Sequence, residues 1–207
     1  MAPVQDPRAW QAALEKAKVE LGGHSPYVLA ARAGVDFRED SFLLPFFHQV
    51  HRVSFPSGEV RDEGGQIPDL WLRIIFLHYL LTADGTPVAG TWIAYRHLPG
   101  AELFEGRFVS LAVGSLVRAF GQDLEGFHRA ALALGGTPMS RLGDAAYYFL
   151  AFPHLPMAAI LYRGDEEVPA SGNILFDASA PHYLATEDLS YLGSYLVSAL
   201  RRHARPG

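Results

Sequence analysis

The 207-residue chain contains no cysteine. Disulfides, iron–sulfur ligation and thiol catalysis by this chain are therefore excluded. Zinc would have to bind through histidine and carboxylates, which disfavours a closed structural site. Positive charge is also scarce: 17 Lys and Arg stand against 22 Asp and Glu, giving a net charge of −5. The only basic run is the short tail "RRHAR", Arg201 to Arg205, where positive charge complements a helix C-terminus. Nucleic acid is not an expected partner. No apolar run is long enough for a membrane span, and "MAPVQDPRAWQAALEKAK" lacks a basic-then-apolar leader pattern. We expect a soluble cytoplasmic protein that does not contact a membrane. Standard signatures are missing too. There is no Gly-x-Gly-x-x-Gly, no Gly-x-Ser-x-Gly and no His-Glu-x-x-His, and "LGGTPMS" lacks the Gly-Lys-Ser/Thr of a phosphate loop.

What is present suffices for a core. Apolar residues make up 49% of the chain and charged residues 19%. We expect a single domain over 1–207, with 1–35 a helical N-terminal extension packed on it. Asp6-Pro7 reads as a cap and first-turn proline for an amphipathic helix with Trp10, Leu14, Ala17 and Leu21 on one face. Ser25-Pro26 starts a second helix. "HQVHRVSF" and "GEVRDE" read as a hairpin around Pro56-Ser57-Gly58. "LWLRIIFLHYLLT" follows a capping Asp69 and is apolar almost all round, so it should be the buried central helix. "GTWIAYRHLPG" alternates as a strand through His97. Helices follow at 103–119 and 123–134. Three strands, "AAYYFLAFPHL", "MAAILYRGD" and "NILFD", then lead to a final helix capped by Thr186 and lined by Leu189, Leu192, Leu196 and Leu200. Strands do not alternate strictly with helices. The expected fold is α+β, a mostly antiparallel sheet packed against the central helix and the C-terminal helix.

Several residues could carry chemistry. The triplet His78-Tyr79-Leu80 recurs as His182-Tyr183-Leu184. On the apolar helix, His78 reads either as a core histidine bonded to a carbonyl or carboxylate, or as a ligand or base opening onto an apolar pocket. His182 follows a strand, where loops often project site residues, and Asp177 and Glu187 could join it in an open carboxylate–imidazole site. Turn and cap chemistry is the plainer reading for those two acids. His48 and His51 point to opposite faces if their segment is a strand. Arg73, Arg96 and Arg107 lie in apolar surroundings and need an acidic partner or a ligand carboxylate.

The blocks "LHYLLTADGTPVAGTWIAYRHLPG" and "ILFDASAPHYLATEDLSYLG" resemble the signature blocks of a prokaryotic family known only as a domain of unknown function. Gly90-Thr91-Trp92 and Leu134-Gly135-Gly136 add to the likeness, which runs from about residue 40 to the C-terminus. The resemblance implies an anaerobic setting, occasional fusion to a cysteine-rich iron–sulfur module, and neighbours in corrinoid or one-carbon chemistry. This chain departs from those fusions in having no cysteine.

Three functions fit these features. The first is a non-catalytic binding or accessory protein with a histidine-bearing apolar pocket for a small apolar ligand such as a tetrapyrrole, haem or corrinoid. His78, His182, Trp71, Trp92, Arg73 and Arg96 would line it, and a metal would meet His78, His182, Asp177 or Glu187. The second is an interaction module for a redox or methyl-transfer partner, using the Tyr191 and Tyr195 face of the last helix. The third is a metal-dependent enzyme built on His182, Asp177 and Glu187, with His78 as base.

Overall fold

A computed structural model of the chain describes residues 7–204. The expected Asp6 cap and Arg205 of the basic tail lie outside the described residues. The chain divides into two compact units. The first takes in the chain up to Pro87, with Phe152–His154 and His182–Ala185; the second takes in Val88–Ala151, Leu155–Pro181 and the chain from Thr186 onward. Both are mixtures of helix and antiparallel sheet, so the fold class is α+β, with two sheets where one was expected.

The first unit begins with α1 (Pro7–Gly22) and α2 (Pro26–Ala33), the expected N-terminal helices. Leu14, Ala17 and Leu21 are buried, as their spacing on one face requires. A meander follows: β1 (Asp36–Arg38), β2 (Ser41–Phe46), β3 (Gln49–Ser54) and β4 (Val60–Arg61), antiparallel in that order. The central helix α3 (Leu70–Thr82) packs against α1 and α2. Phe76, Leu77, Tyr79 and Leu80 are fully buried in it. Asp69 precedes α3 but makes no side-chain cap bond, and Ser25 makes none at α2. Both helices are held by burial of their apolar faces rather than by their caps.

Tyr79 organises this unit. Its ring stacks on Phe152 at 4.2 Å and lies 5.8 Å from Tyr183, near parallel. Its hydroxyl donates to Ala33 O at 2.8 Å and accepts the His154 N–H at 3.3 Å. The repeated His-Tyr-Leu triplet thus has a spatial counterpart, since its two tyrosines stack on each other. Gly34 ends α2 with φ +68, and a Cβ there would overlap the His154 imidazole. Glycine is therefore required on both conformational and steric grounds.

The second unit carries a sheet ordered β5-β9-β8-β7-β6, formed by β5 (Trp92–Ala94), β6 (Thr137–Pro138), β7 (Ala145–Phe152), β8 (Leu155–Tyr162) and β9 (Ser171–Asp177). The nearly continuous apolar run of β8 does occupy the centre, buried from Leu155 to Leu161. The alternation expected through His97 stops at Ala94. Tyr95 turns the chain into a 3-10 turn, Tyr95–His97, because its buried ring stacks on Phe108 at 4.0 Å and its hydroxyl donates to Thr186 O at 2.9 Å.

The helix expected over 103–119 is interrupted. α4 (Glu105–Phe108) and α5 (Gly114–Phe120) are joined by a π turn, Val109–Val113, in which the Gly114 N–H reaches back to Val109 O. Arg118 donates to Ser110 O at 3.3 Å, meeting a carbonyl within that wide turn. α6 (Leu124–Ala133) is capped as its sequence predicts: Asp123 accepts the Gly126 N–H at 2.8 Å. The last helix, α7 (Thr186–His203), buries Leu189, Leu192, Leu196 and Leu200. Its first residue does not serve as the expected side-chain cap, because the Thr186 hydroxyl donates instead to Pro99 O at 2.6 Å. Among the described residues no helix is long and apolar enough to cross a membrane.

Tyr79→Phe keeps the ring and removes the hydroxyl, leaving Ala33 O and the His154 N–H without this partner. We expect a loss of about 1 to 3 kcal/mol in urea unfolding with an unchanged m-value. A change within error of zero would show that the hydroxyl is not a structural pin.

Candidate functional site

A candidate site lies in the second unit, on α6 and the β6–β7 edge of the sheet. β6 pairs antiparallel to β7 with Pro138 opposite Tyr147, and Met139 N–H continues the ladder to Ala146 O at 2.9 Å. α6 presents Glu125 and His128 three residues apart, hence on one face. Between these walls is a cavity of about 470 Å3, with Asp144 and Arg163 at its rim. The Arg163 N–H donates to Asp144 Oδ2 at 2.7 Å, which fixes the two charged residues as neighbours at the end of the sheet.

Tyr147 and His128 are both among its lining residues. Tyr147 is only 4% exposed, and its ring packs edge-on to Phe127 at 5.2 Å. Burial, with the Glu125 carboxylate adding to it, pushes the phenol above its ordinary value. It stays protonated at neutral pH and so has a proton to donate. Its hydroxyl bonds to His128 Nδ1. If the phenol donates, Nδ1 accepts, and an imidazole with a single N–H carries it on Nε2. His128 itself is exposed and borders the cavity.

Four tyrosines are buried among the described residues: Tyr79, Tyr95, Tyr147 and Tyr183. Three of them give their hydroxyl to a backbone carbonyl: Tyr79 to Ala33, Tyr95 to Thr186 and Tyr183 to Thr86. Those bonds close the core. Only Tyr147 uses its hydroxyl on a titratable side chain that borders a cavity.

The residues singled out from sequence fall elsewhere. Asp177 is 1% exposed and fully engaged: it accepts from Ala89 N–H at 2.9 Å, Thr91 N–H at 3.1 Å, Ser179 N–H at 2.9 Å and Ser179 Oγ at 2.6 Å. Burial alone would raise its carboxyl. The bonds from Ser179 and Ala89 outweigh that and hold it below the usual value. It is the turn-forming acid of the plainer reading.

His182 is exposed, and its Nδ1 lies 2.7 Å from Asp84 Oδ2 and 3.2 Å from Thr86 Oγ1. The hydrogen bond from His182 holds the Asp84 carboxyl down to about 2. Hydroxyl and carboxylate meet the same ring nitrogen, so this is not a nucleophile–base–acid relay, which needs one on each side of the ring. Glu187 sits in the first turn of α7, half-buried. Among the described residues no three His, Cys, Asp or Glu are grouped to hold a metal ion, so His78, His182, Asp177 and Glu187 form no such cluster.

Trp71, Arg73 and His78 are half-buried along α3. Among the described residues, Arg73 Nε is buried without a hydrogen-bond partner, as is Nδ1 of His51. The His51 ring lies 4.6 Å from Phe76, and burial pushes its imidazole down against the pull of Asp62 and Glu63. His51 is buried on β3, whereas His48 is exposed in the turn before that strand, so the pair does not share the strand on which opposite faces were expected. Trp92 is half-buried on β5, edge-on to Tyr148 at 6.1 Å. Arg96 is exposed on a second, smaller cavity of about 240 Å3 that it shares with Glu105, Val109 and Asn173. Tyr191 and Tyr195 are not a bare apolar face: Arg107 lies over Tyr191 at 4.2 Å and Arg202 over Tyr195 at 5.4 Å.

Sequence reading passed over Glu125, His128, Asp144, Tyr147 and Arg163. The Glu-x-x-His spacing on an amphipathic helix was visible. Its tyrosine partner, 19 residues away, was not.

The chain belongs to the family described as a domain of unknown function, DUF3786, whose profile matches residues 25–199. Searches of curated proteins and of solved structures found no match.

Asp177→Asn should cost about 1.5 to 3 kcal/mol, the range for hydrogen bonds to a buried charged acceptor. Because its folded carboxyl lies below the ordinary 3.8, that stabilisation is present above 3.8 and is lost as the pH falls through the folded value. Thermal unfolding of wild type and variant should therefore converge in acid. A gap that stays constant below pH 4 would contradict the assignment.

Proposed function

We propose that the chain is a binding protein whose site is the α6 and β6–β7 cavity, and that His128 is the residue that engages a small polar ligand there. One observation carries this reading: a buried phenol bonds through its hydroxyl to an exposed imidazole on a cavity, while the other buried phenols close on backbone carbonyls. A buried donor that fixes an imidazole's tautomer presents the opposite ring nitrogen with a defined role, here as a donor toward solvent. The cavity lies within the ~300–1,000 Å3 range of small-molecule sites and mixes apolar walls with a few convergent polar groups. The histidine-bearing pocket expected from sequence is kept in this proposal, but its histidine is His128 rather than His78 or His182.

Amide NMR on labelled protein tests the proposal with a panel of small carboxylates, amines, amino acids and inorganic phosphate. Haem and a corrinoid are followed in parallel by absorbance. Saturable shifts should cluster at Leu124–His128, Pro138–Met139, Ala145–Tyr147 and Arg163. His128→Ala should abolish them while moving the unfolding midpoint little, since the side chain is exposed. Binding that survives His128→Ala, or a haem or corrinoid band lost only in His78→Ala or His182→Ala, would overturn the proposal and relocate the site.

A further inference from the structure

We infer that the ligand of this cavity is a zwitterion, an α-amino acid with an apolar side chain. Its carboxylate is held by His128 and Arg163, and its ammonium by Glu125 and Asp144. This rests on the proposal that the cavity is a binding site and names what it binds.

The argument starts from charges left over. The Arg163 guanidinium is exposed and makes no hydrogen bond or ion pair among the described residues; the residue's bond to Asp144 is through the backbone N–H. The Glu125 carboxylate likewise has no hydrogen-bond or ion-pair partner among the described residues, although it acts electrostatically on Tyr147. Asp144 uses one oxygen on the Arg163 N–H. Charges of both signs therefore border one cavity without neutralising each other. His128 bonds through Nδ1 to Tyr147, and where the phenol donates, Nε2–H is a further donor that can join the guanidinium on a carboxylate.

Other ligand classes fit less well. Apart from His128, the lining carries two carboxylates and one guanidinium, an excess of negative charge that repels a phosphate dianion. A simple amine would satisfy the acids and leave the guanidinium and the imidazole N–H facing nothing. A simple carboxylate would do the reverse. Among the described residues no group of acids and histidines is spaced to hold a metal ion. A zwitterion satisfies both sets at once, and a guanidinium suits a carboxylate through its paired donors. The remaining lining is apolar: Leu124, Pro138, Met139, Ala145 and Ala146. An aliphatic side chain would bury against those surfaces.

The test compares three probes of one carbon skeleton by NMR titration: L-leucine, 4-methylpentanoate, which lacks the amine, and 3-methylbutylamine, which lacks the carboxylate. L-Leucine should shift the cavity resonances at concentrations up to ~10 mM and bind at least about tenfold more tightly than either analogue. Glu125→Gln should weaken L-leucine while leaving 4-methylpentanoate unaffected, and Arg163→Gln should weaken L-leucine while leaving 3-methylbutylamine unaffected. Both positions are exposed, so the variants should fold. If either analogue, or inorganic phosphate, binds the cavity as tightly as L-leucine, the zwitterion inference fails and the cavity stands as a site for that class. If L-leucine shifts no cavity resonance, the inference fails, and the wider panel separately decides whether the cavity binds anything.

Discussion

A buried tyrosine hydroxyl must find a hydrogen-bond partner, and in this protein that constraint shapes both units. Leaving a phenol unpaired in the interior costs more than a made bond returns. In the first unit the demand is met by Tyr79, whose hydroxyl joins the end of α2 to His154 while its ring stacks on Phe152. In the second, Tyr95 is satisfied only by leaving the strand, which brings its hydroxyl to the first residue of α7 and its ring onto Phe108. The 3-10 turn after β5 follows from that demand. Tyr147 faces the same requirement with a different partner, an imidazole at the protein surface. What elsewhere closes the core here opens onto a cavity.

The chain's periodicities made much of the fold legible. Leu14, Ala17 and Leu21 in α1, and Leu189, Leu192, Leu196 and Leu200 in α7, are buried because helical spacing puts them on one stripe. The all-round apolar character of α3 and the continuous apolar run of β8 marked them as interior, and both are. What the chain hid was where its polar groups close. Asp69, Ser25 and Thr186 look like caps. Asp69 and Ser25 make no side-chain cap bond, and the Thr186 hydroxyl turns to Pro99. Propensity records what a residue can do locally, and tertiary partners decide among the options.

The candidate site was hidden for the same reason. His78 and His182 drew notice because they repeat a triplet, yet the repeat's spatial meaning is a pair of stacked tyrosines. His182 is held by Asp84 and Thr86, residues about a hundred positions earlier in the chain. Asp177 and His182, five positions apart in sequence, take separate sets of partners, and among the described residues neither joins a group of three acids and histidines that could hold a metal ion. Glu125 and His128 lay in plain view at helical spacing. Nothing local to α6 says that a buried phenol on β7 reaches His128 and that the groups around them border one cavity.

The central claim is that Tyr147 fixes the tautomer of His128 and so gives the cavity its donor. Long-range proton–nitrogen NMR of the His128 imidazole tests it most directly. The account predicts that, at a pH where the ring holds one proton, that proton is on Nε2 with Nδ1 at an acceptor's shift in wild type, relaxing to a mixed tautomer population in Tyr147→Phe. A ring protonated at Nδ1, or one whose tautomer is indifferent to Tyr147→Phe, would contradict it.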